Sequence, residues 1–388
     1  MERVASRFDE LAGAVGAAIV SERDGRVVVL PRTADEVAAV LRFCDANGIG
    51  VEINGASTKR GWAGAVRSDL VLDTRGLARV GEHSWQDLTA TVGAGTTWAE
   101  MQRALAQHGQ MVALDPLWPE RATVGGVVAT NDSGALRQRY GSLRDLVIGM
   151  TLVLTDGTIA RSGGKVVKNV AGYDLHKLMI GAFGTLAVVT EVTFRLHAIP
   201  RSTRVWTMEA RDAGACGEVL MKVLDSQLSV QSMQLRPSAA GFALDVELAC
   251  INEVMRDQLG ILDSFAGHAG TTDSDVFGGR ERLFAGEGVV VKATMLASAI
   301  ASVSAEVVRL GGEAATQASG IMLARFADES AVERLRELVE PDGCLSVLRG
   351  TDGFGVLSTV GNAAPLMREI KRRFDPKGLL NPGVVVGG

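Results

Sequence analysis

The sequence predicts an α+β fold with two domains and a C-terminal segment, and three observations lead to this prediction. Helix-capping signals alternate with short strand-like runs over the first hundred residues. Two β-rich runs flank Asp156-Gly157, which is a strong hairpin signal. The pattern changes after Pro200-Arg201, where strand-like and helix-like segments alternate without a dense motif. At 388 residues with 47% hydrophobic content, the chain is long enough to fill more than one core.

Two helices are predicted in the first part of the chain, and each begins at a capping box. Thr33 and Glu36 form T-x-x-E ahead of apolar residues with helical spacing, and Gly48 is placed to end this helix. Thr97 and Glu100 repeat the signal, ahead of a helix that Gly109 is expected to close. Short strands between these helices complete an α+β unit.

Strand-like runs lie at 51–53, 70–72, 89–92 and 188–196, and the hairpin covers 149–164. Further along, segments at 246–248, 289–292, 300–310 and 321–326 predict a second mixed domain. The stretch MREIKRRFDPKGLLNPG predicts a basic amphipathic helix, followed by turns that pack back on the first domain. The predicted domains are therefore 1–200, 201–360 and 361–388.

Charge and composition exclude several classes of protein. The formal net charge is −5, so no strong basic field favours nucleic-acid binding. The four cysteines lie far apart and lack the grouping that iron–sulfur or zinc sites need, which is typical of thiols in a reducing compartment. The five histidines show no i,i+4 or H-x-H spacing, so the sequence predicts no metal site.

The distribution of apolar residues predicts a cytoplasmic protein. No apolar run reaches the about 18 residues that a membrane-spanning helix requires. The beginning of the sequence mixes acidic groups with short apolar runs and lacks a clear cleavage site. We therefore expect no direct membrane span, and any association with a membrane would take place through partners.

Two segments rich in small residues are candidates for a site that binds phosphate groups. The first, residues 55–59, directly follows a strand, and a structural turn is an equally good interpretation of it alone. The second, residues 123–134, is predicted to form glycine-rich turns between short apolar strands. Glycine lets a backbone approach a ligand closely, and successive N–H groups form a concave site for a diphosphate. A nicotinamide-binding Rossmann motif is excluded because no G-x-G-x-x-G opens a helix after the first strand.

These segments, together with four further motifs, resemble the FAD-linked oxidases whose cofactor domain is shared with vanillyl-alcohol oxidase and p-cresol methylhydroxylase (PCMH). The shared motifs are residues 55–59, 122–126, 133–134, 140–141, 144–145, 184–186 and the Leu-Asn-Pro-Gly at 380–383. The resemblance covers most of the first two hundred residues. It implies a two-subdomain PCMH-type FAD-binding domain, a smaller α+β cap for substrate or interface, and a C-terminal segment that returns to the FAD domain.

Within this family, the sequence is most similar to the E-type, FAD-binding subunits of bacterial glycolate oxidases. The distinguishing block is KNVAGYDL at 168–175, which leads to GAFGTL at 181–186. Ala182 and Phe183 stand where the D-type subunits and D-lactate dehydrogenases usually carry a serine and a glutamate. This difference favours the E-type interpretation.

The resemblance implies a set of FAD-binding residues. The first loop and the second glycine-rich segment would bind the diphosphate, the region of Gly184 would lie against the cofactor, and the strand with Val188 and Val189 would border the adenine. The implied residues are Gly55, Ala56, Ser57, Thr58, Thr123, Gly125, Gly126, Asn131, Ser133, Gly134, Tyr140, Gly184 and Val189. Many relatives attach the flavin to a histidine in the first loop, where this chain has Thr58 and Lys59, so we expect non-covalent FAD.

The catalytic residues stay unassigned, with Lys168, Tyr173 and His176 as candidates. Lys165 and Lys168 precede Tyr173 and Asp174 in the subunit-like block, where the two lysines could face the substrate side of the flavin or belong to a solvated loop fixed by Asp174. His176 is the only histidine inside a motif, and we expect a structural role for it ahead of a catalytic one. Arg139 and Arg144 are suited to a carboxylate, and phosphate neutralisation or a salt bridge explains them equally well.

The expected function is that of the FAD-binding subunit of a glycolate oxidase-like complex. Such a complex oxidises glycolate or a related 2-hydroxy acid to the 2-oxo acid. The resemblance implies a catalytic flavoprotein sibling and an iron–sulfur subunit as partners, through which electrons leave. Two alternatives stay open: an autonomous FAD-dependent 2-hydroxy acid dehydrogenase, and a non-catalytic assembly subunit that keeps the fold for interaction.

Overall fold

The computed structural model describes residues 2–164, 173–271, 276–340, 342–352, 355 and 363–384. The chain divides into two compact units. The first comprises residues 1–133, 142–198 and 362–387, and the second comprises 134–141, 199–361 and 388. Each unit combines helices with β-sheet, which confirms the predicted α+β class.

The described strands are β1 (Val20–Arg23), β2 (Arg26–Val29), β3 (Val51–Asn54), β4 (Leu70–Asp73), β5 (Val80–Ser84), β6 (Thr89–Gly93), β7 (Gln110–Met111), β8 (Val147–Val153), β9 (Ile159–Gly163), β10 (Val188–Arg195), β11 (His197–Ala198), β12 (Thr203–Ala210), β13 (Val230–Ser238), β14 (Gly241–Ala249), β15 (Val289–Thr294), β16 (Glu313–Gln317), β17 (Ile321–Phe326) and β18 (Cys344–Arg349). The described α-helices are α1 (Glu2–Val15), α2 (Ala34–Asn47), α3 (Trp98–Ala106), α4 (Val124–Thr130), α5 (Arg137–Tyr140), α6 (Leu143–Leu146), α7 (His176–Met179), α8 (Ala213–Leu224), α9 (Asn252–Ala266), α10 (Ile300–Arg309), α11 (Ser330–Val339) and α12 (Ala363–Phe374).

The first unit contains two main sheets, each with its own core. A four-stranded sheet has the order β1-β2-β4-β3, in which β2, β4 and β3 run parallel. Its apolar side chains pack with those of α2. A five-stranded antiparallel sheet has the order β5-β6-β10-β8-β9 and packs with α3, α4 and α6. These two sheets correspond to the two expected subdomains.

Both predicted capping boxes begin helices. The Thr33 hydroxyl accepts the Glu36 N–H at 3.1 Å at the start of α2, and Gly48 ends this helix in the left-handed conformation. Thr97 and Glu100 make reciprocal side-chain to backbone hydrogen bonds at the start of α3. Helix α3 ends at Ala106, slightly before the predicted Gly109. The hairpin is confirmed as well, because β8 and β9 pair antiparallel across Asp156-Gly157.

The prediction of strands and turns over residues 123–134 is wrong in part, because residues 124–130 form helix α4. Thr123 accepts the Gly126 N–H at 3.2 Å and thereby caps this helix. Val124, Val127 and Val128 are all fully buried, and their spacing places them on one face of the helix. The cap and the helical spacing outweigh the low helix propensity of valine and glycine.

The second unit is built on one antiparallel sheet with the strand order β12-β14-β13-β16-β17-β15-β18. Helices α8 and α9 contribute to one of its cores, α11 contributes to the other, and α10 contributes to both. The short helix α5 belongs to this unit. No helix among the described residues is long and apolar enough to cross a membrane.

Candidate functional site

The first unit contains a cleft between the end of β3, the start of α4 and the turn at 183. It encloses about 660 Å³, including space open to solvent. Many of its lining residues are Gly, Ala, Ser or Thr, which have small side chains. The lining residues from the predicted set are Gly55, Ala56, Ser57, Thr58, Thr123 and Gly126, and Lys59, Ala129, Thr130, Phe183 and Asn381 also line it. The two small-residue segments, which are separated in sequence, therefore meet at one cleft.

The loop after β3 is held by short polar contacts. The Asn54 amide donates to the Ser57 hydroxyl at 2.8 Å, and this hydroxyl lies 3.0 Å from the Asn54 carboxamide oxygen. Gly55 lies against the cap of α4, because a Cβ built on it would come within 2.4 Å of the Thr123 hydroxyl. A glycine is therefore needed at 55 for the loop and the helix to meet.

A second cavity of about 510 Å³ adjoins the cleft. The two share Ile53, Asn54, Gly55, Gly126, Ala129, Phe183 and Asn381. Gly125, Gly184 and Val189 line this second cavity, together with the apolar Met179, Ala182 and Leu186. Apolar walls of this kind suit a planar ring, whereas the hydroxyls of Ser57, Thr58 and Thr123 in the first cavity suit a polar group.

Backbone strain is concentrated at the cleft. Among the described residues, seven non-glycine residues have positive φ, and Ser57, Phe183 and Asn381 are three of them. All three line the cleft. Such conformations are costly for residues with a Cβ and occur most often at functional sites.

Four of the predicted cofactor residues do not line either cavity. Asn131 ends α4 in the left-handed conformation, and its carboxamide oxygen is buried without a partner among the described residues. Ser133 is buried two residues further on. Gly134 and Tyr140 belong to the second unit, where the Tyr140 hydroxyl donates to the Gln231 carboxamide oxygen at 3.3 Å. Their roles toward a cofactor stay predictions.

Sequence reasoning did not assign two buried side chains at the cleft. Lys59 is 7% exposed, and its ammonium lies 3.2 Å from an Asp132 carboxylate oxygen, 5.9 Å from the Trp62 ring centre and 5.6 Å from that of Trp118. Asn381 is 7% exposed and contacts both sides of the cleft. The available signals were the lysine that ends the first loop and the asparagine of the Leu-Asn-Pro-Gly motif.

The three catalytic candidates have different surroundings. Lys168 lies outside the described residues. Tyr173 is 90% exposed, so its phenol is solvated. His176 is buried, and its Nδ1 lies 3.1 Å from the Ser162 hydroxyl, which also accepts the His176 N–H. Burial lowers the pKa of His176, and the Asp174 carboxylate opposes this effect. These contacts are those of a histidine that holds its own turn in place.

The second unit contains a cavity lined by arginines, which the sequence did not single out. It encloses about 930 Å³, including open solvent, and Arg236, Arg280 and Arg282 line it. Arg280 is only 5% exposed. Asp245 holds the Arg236 guanidinium through bonds of 2.8 and 3.1 Å. Guanidinium groups that line a cavity suit a carboxylate, because their planar fork binds both oxygens.

The residues of the first unit fit an FAD. A Cβ on Gly55 would come within 2.4 Å of the Thr123 hydroxyl and one on Gly126 within 3.2 Å, so glycine at these points keeps the wall close and leaves the cleft open. The small residues of the first part leave room for a diphosphate to approach the backbone, and the adjoining apolar part offers contacts to rings. The two parts are continuous, as a dinucleotide with a polar centre requires.

Two family models match the chain. Residues 25–163 match the FAD binding domain, and residues 359–385 match the C-terminal domain of FAD linked oxidases. The D-lactate dehydrogenase of Archaeoglobus fulgidus is 31% identical over 98% of this chain and 95% of its own. The chain therefore belongs to the FAD-linked oxidase family.

Other relatives match over a smaller part of their length. The mitochondrial D-lactate dehydrogenase [cytochrome] of Arabidopsis thaliana is 33% identical over 54% of this chain and 37% of its own. The glycolate oxidase subunit GlcD of Bacillus subtilis is 32% identical over 52% of this chain and 43% of its own. The chain thus spans less than half the length of these two relatives.

The structure of p-cresol methylhydroxylase superposes with a TM-score of 0.75 over 99% of this chain and 97% of that protein. The identity between the two is 14%, so this likeness concerns the fold. It confirms the PCMH-type fold that the sequence motifs implied. The particular assignment to the E-type subunits is a matter for proposal.

Proposed function

We propose that this chain is the FAD-binding subunit of a glycolate oxidase-like complex, which oxidises glycolate or a related 2-hydroxy acid to the 2-oxo acid. The observation that carries the proposal is the match to a D-lactate dehydrogenase along 98% of the chain, since it includes both units. Lactate and glycolate share the 2-hydroxy acid group, and the GlcD relative is a subunit of a glycolate oxidase.

The first unit would hold the cofactor. Gly55, Ser57 and Gly126 would present backbone to the diphosphate, and Leu186 and Val189 would contact the adenine end. When bound, FAD would accept the two electrons and the hydrogen that leave the hydroxyl-bearing carbon. Ser57 and Phe183 have positive φ at the walls of the cleft, and backbone strain of this kind clusters at ligand sites, which supports this role.

The second unit would bind the carboxylate of the substrate. Arg280 is buried and lines the cavity of this unit, and its planar guanidinium could donate to both oxygens of a carboxylate there. Asp245 fixes Arg236 in one orientation, so this guanidinium is preorganised. Glu313 at the same cavity is paired with Arg325 at 2.9 Å, which limits its repulsion of an anion.

Two features support the finer parts of the proposal. Ala182 and Phe183 replace the serine and glutamate of the D-type subunits, which favours the E-type assignment and electron transfer through a catalytic flavoprotein sibling and an iron–sulfur subunit. The cleft is lined by Thr58 and Lys59 where many relatives carry a flavin-bound histidine, which favours non-covalent FAD.

A second function is favoured by one observation. The match to the Archaeoglobus protein covers 95% of that dehydrogenase, so this chain contains the counterpart of nearly all of it. An autonomous FAD-dependent 2-hydroxy acid dehydrogenase would use the cavity of the second unit for substrate without any partner subunit.

An anaerobic visible absorption spectrum before and after glycolate or D-lactate is added separates these functions. We expect the isolated chain to be yellow and to keep its flavin oxidised, and the flavin to bleach once the partner subunits are present. Bleaching in the isolated chain would support the autonomous dehydrogenase instead. A colourless chain that does not take up added FAD would contradict both, and release of free FAD on acid precipitation would support non-covalent binding.

A further inference from the structure

Residues 379–384 lie beside the cleft and extend the four-stranded sheet of the first unit. The Val51 N–H donates to the Leu379 carbonyl at 2.8 Å, and the Asn381 N–H donates to the Val51 carbonyl at 2.9 Å. Leu380 thereby pairs in parallel with Val51 on β3, the edge strand of the sheet. This short segment is thus held by backbone pairing to the strand that leads into the first loop.

A partly buried ion pair between Lys371 and Asp375 holds the segment in this position. Asp375 is buried, and its carboxylate accepts hydrogen bonds from the N–H groups of Leu379 at 2.9 Å and Leu380 at 2.8 Å. The Lys371 ammonium pairs with Asp375 and donates to the carbonyls of Thr185 at 2.8 Å and of Leu380 at 3.1 Å. Through Lys371, the segment is also attached to the turn that follows Gly184.

The Asn381 side chain joins the two sides of the cleft. Its carboxamide oxygen accepts the Ile53 N–H at 2.7 Å, and its amide nitrogen donates to the Phe183 carbonyl at 2.6 Å. Ile53 and Phe183 both line the cleft and the adjoining cavity. An asparagine is suited to this position because it offers one acceptor and one donor from the same group.

The turn at 183 is shaped around this amide. A Cβ on Gly184 would lie 2.8 Å from the Asn381 amide nitrogen, so the glycine allows the approach. Asn381 and Phe183 both have positive φ, at 45° and 51°. The contact therefore joins two residues in the left-handed conformation, and its hydrogen bond helps to hold Phe183 there.

We propose that Asn381 is a positioning residue whose docking and the binding of FAD stabilise each other. Asn381 holds the first loop and the turn at 183 at a fixed separation, so a cofactor that needs both walls binds the docked form more tightly. Because such coupling is reciprocal, FAD in turn holds residues 379–384 against β3. The inference depends on the assignment of FAD to this cleft.

The test compares wild type with Asn381→Asp, in which a carboxylate of the same shape keeps the acceptor for Ile53 and loses the donor for Phe183. We expect the Kd for FAD to rise by about tenfold or more, since the Phe183 carbonyl oxygen then loses its donor and faces a carboxylate oxygen that can only accept. Asn47→Asp is the matched control, because Asn47 is exposed at the end of α2 and donates to the Phe43 carbonyl at 2.8 Å. This control should bind FAD as wild type does.

Hydrogen exchange of the wild-type chain gives a readout that needs no variant. FAD should slow exchange at the N–H groups of residues 379–381 by about tenfold or more, as local opening becomes less frequent. Unchanged exchange in the wild type, or equal FAD affinity in a folded Asn381→Asp, would overturn the coupling and leave the cofactor assignment intact. A folded wild-type chain that binds no FAD would overturn both.

Discussion

Two glycines determine how closely the walls of the cleft approach each other. At Gly55 a Cβ would meet the Thr123 hydroxyl at 2.4 Å, and at Gly184 it would meet the Asn381 amide at 2.8 Å. Gly184 also has φ of 67°, a conformation that L side chains rarely adopt. The sequence predicted both glycines as cofactor residues. Their close contacts give a second reason for glycine here: only a residue without a Cβ lets these segments, which are far apart in the chain, pack so closely.

The lowered pKa of His176 leads us to expect that the free energy of unfolding depends on pH. Burial keeps its folded-state pKa below the ordinary value of 6.5, so the folded chain binds this proton more weakly than the unfolded chain does. The free energy of unfolding should therefore decrease as the pH falls below about 6.5, because the unfolded state takes up the extra proton. The contribution is complete above this pH and is lost as the pH approaches the folded pKa.

Urea unfolding between about pH 5 and pH 7.5 checks this prediction with His176→Asn. The asparagine can still face the Ser162 hydroxyl and does not titrate, so its stability curve should be flatter than that of wild type on the acidic side. Parallel curves for the two proteins would contradict the assignment of the pH dependence to His176.

Helix α4 shows how an element is specified by its cap. Its sequence, VGGVVAT, is made mostly of valine, glycine and threonine, which have low intrinsic helix propensity, and the sequence predicted strands and turns here. The Thr123 hydroxyl binds the Gly126 N–H, and the buried valines pack on the five-stranded sheet. In contrast, α2 has a capping threonine with ordinary helix formers behind it, and was predicted correctly.

The two capping threonines differ in their distance from the cleft, and this predicts different effects of the same substitution. Thr123→Ala and Thr33→Ala should each lower the free energy of unfolding by about 1 kcal/mol, the usual cost of an N-cap. Thr123 also lines the cleft, whereas Thr33 is exposed at the start of α2. Only Thr123→Ala should therefore weaken FAD binding, which fluorescence titration of the apoprotein measures. Equal FAD affinity in the two variants would contradict a role for the α4 cap in the cofactor site.

At the scale of the whole molecule, the proposed function places cofactor binding in the first unit and carboxylate binding in the second. Substitution of Arg280 should then weaken substrate binding and leave the affinity for FAD unchanged. We expect Arg280→Gln to raise the apparent Kd for the 2-hydroxy acid by about 10- to 100-fold, the equivalent of a lost charge-assisted hydrogen bond. The measurement is flavin bleaching against substrate concentration in the active assembly.

Arg309→Gln is the control for this experiment, because Arg309 is an exposed arginine of the same unit and pairs with Glu306 on α10. It should keep both the flavin and the substrate affinity of wild type. Since Arg280 is buried, Arg282→Gln serves as a second variant at the exposed side of the cavity. Wild-type affinity in both cavity variants would remove the second unit's cavity from substrate binding.

The sequence by itself determined the α+β class, the capped helices α2 and α3, the β8–β9 hairpin and the small-residue segments of the cleft. These features depend on hydrogen bonds and conformational preferences within a few residues, so they can be read locally. Only the tertiary structure decided that α4 is a helix, that Lys59 is buried against Asp132, and that an arginine-lined cavity exists. Asn381 is the clearest case, because it bonds to Ile53 across 328 positions of the chain. A local sequence pattern cannot predict a contact between such distant residues, because the contact forms only when the folded chain brings them together.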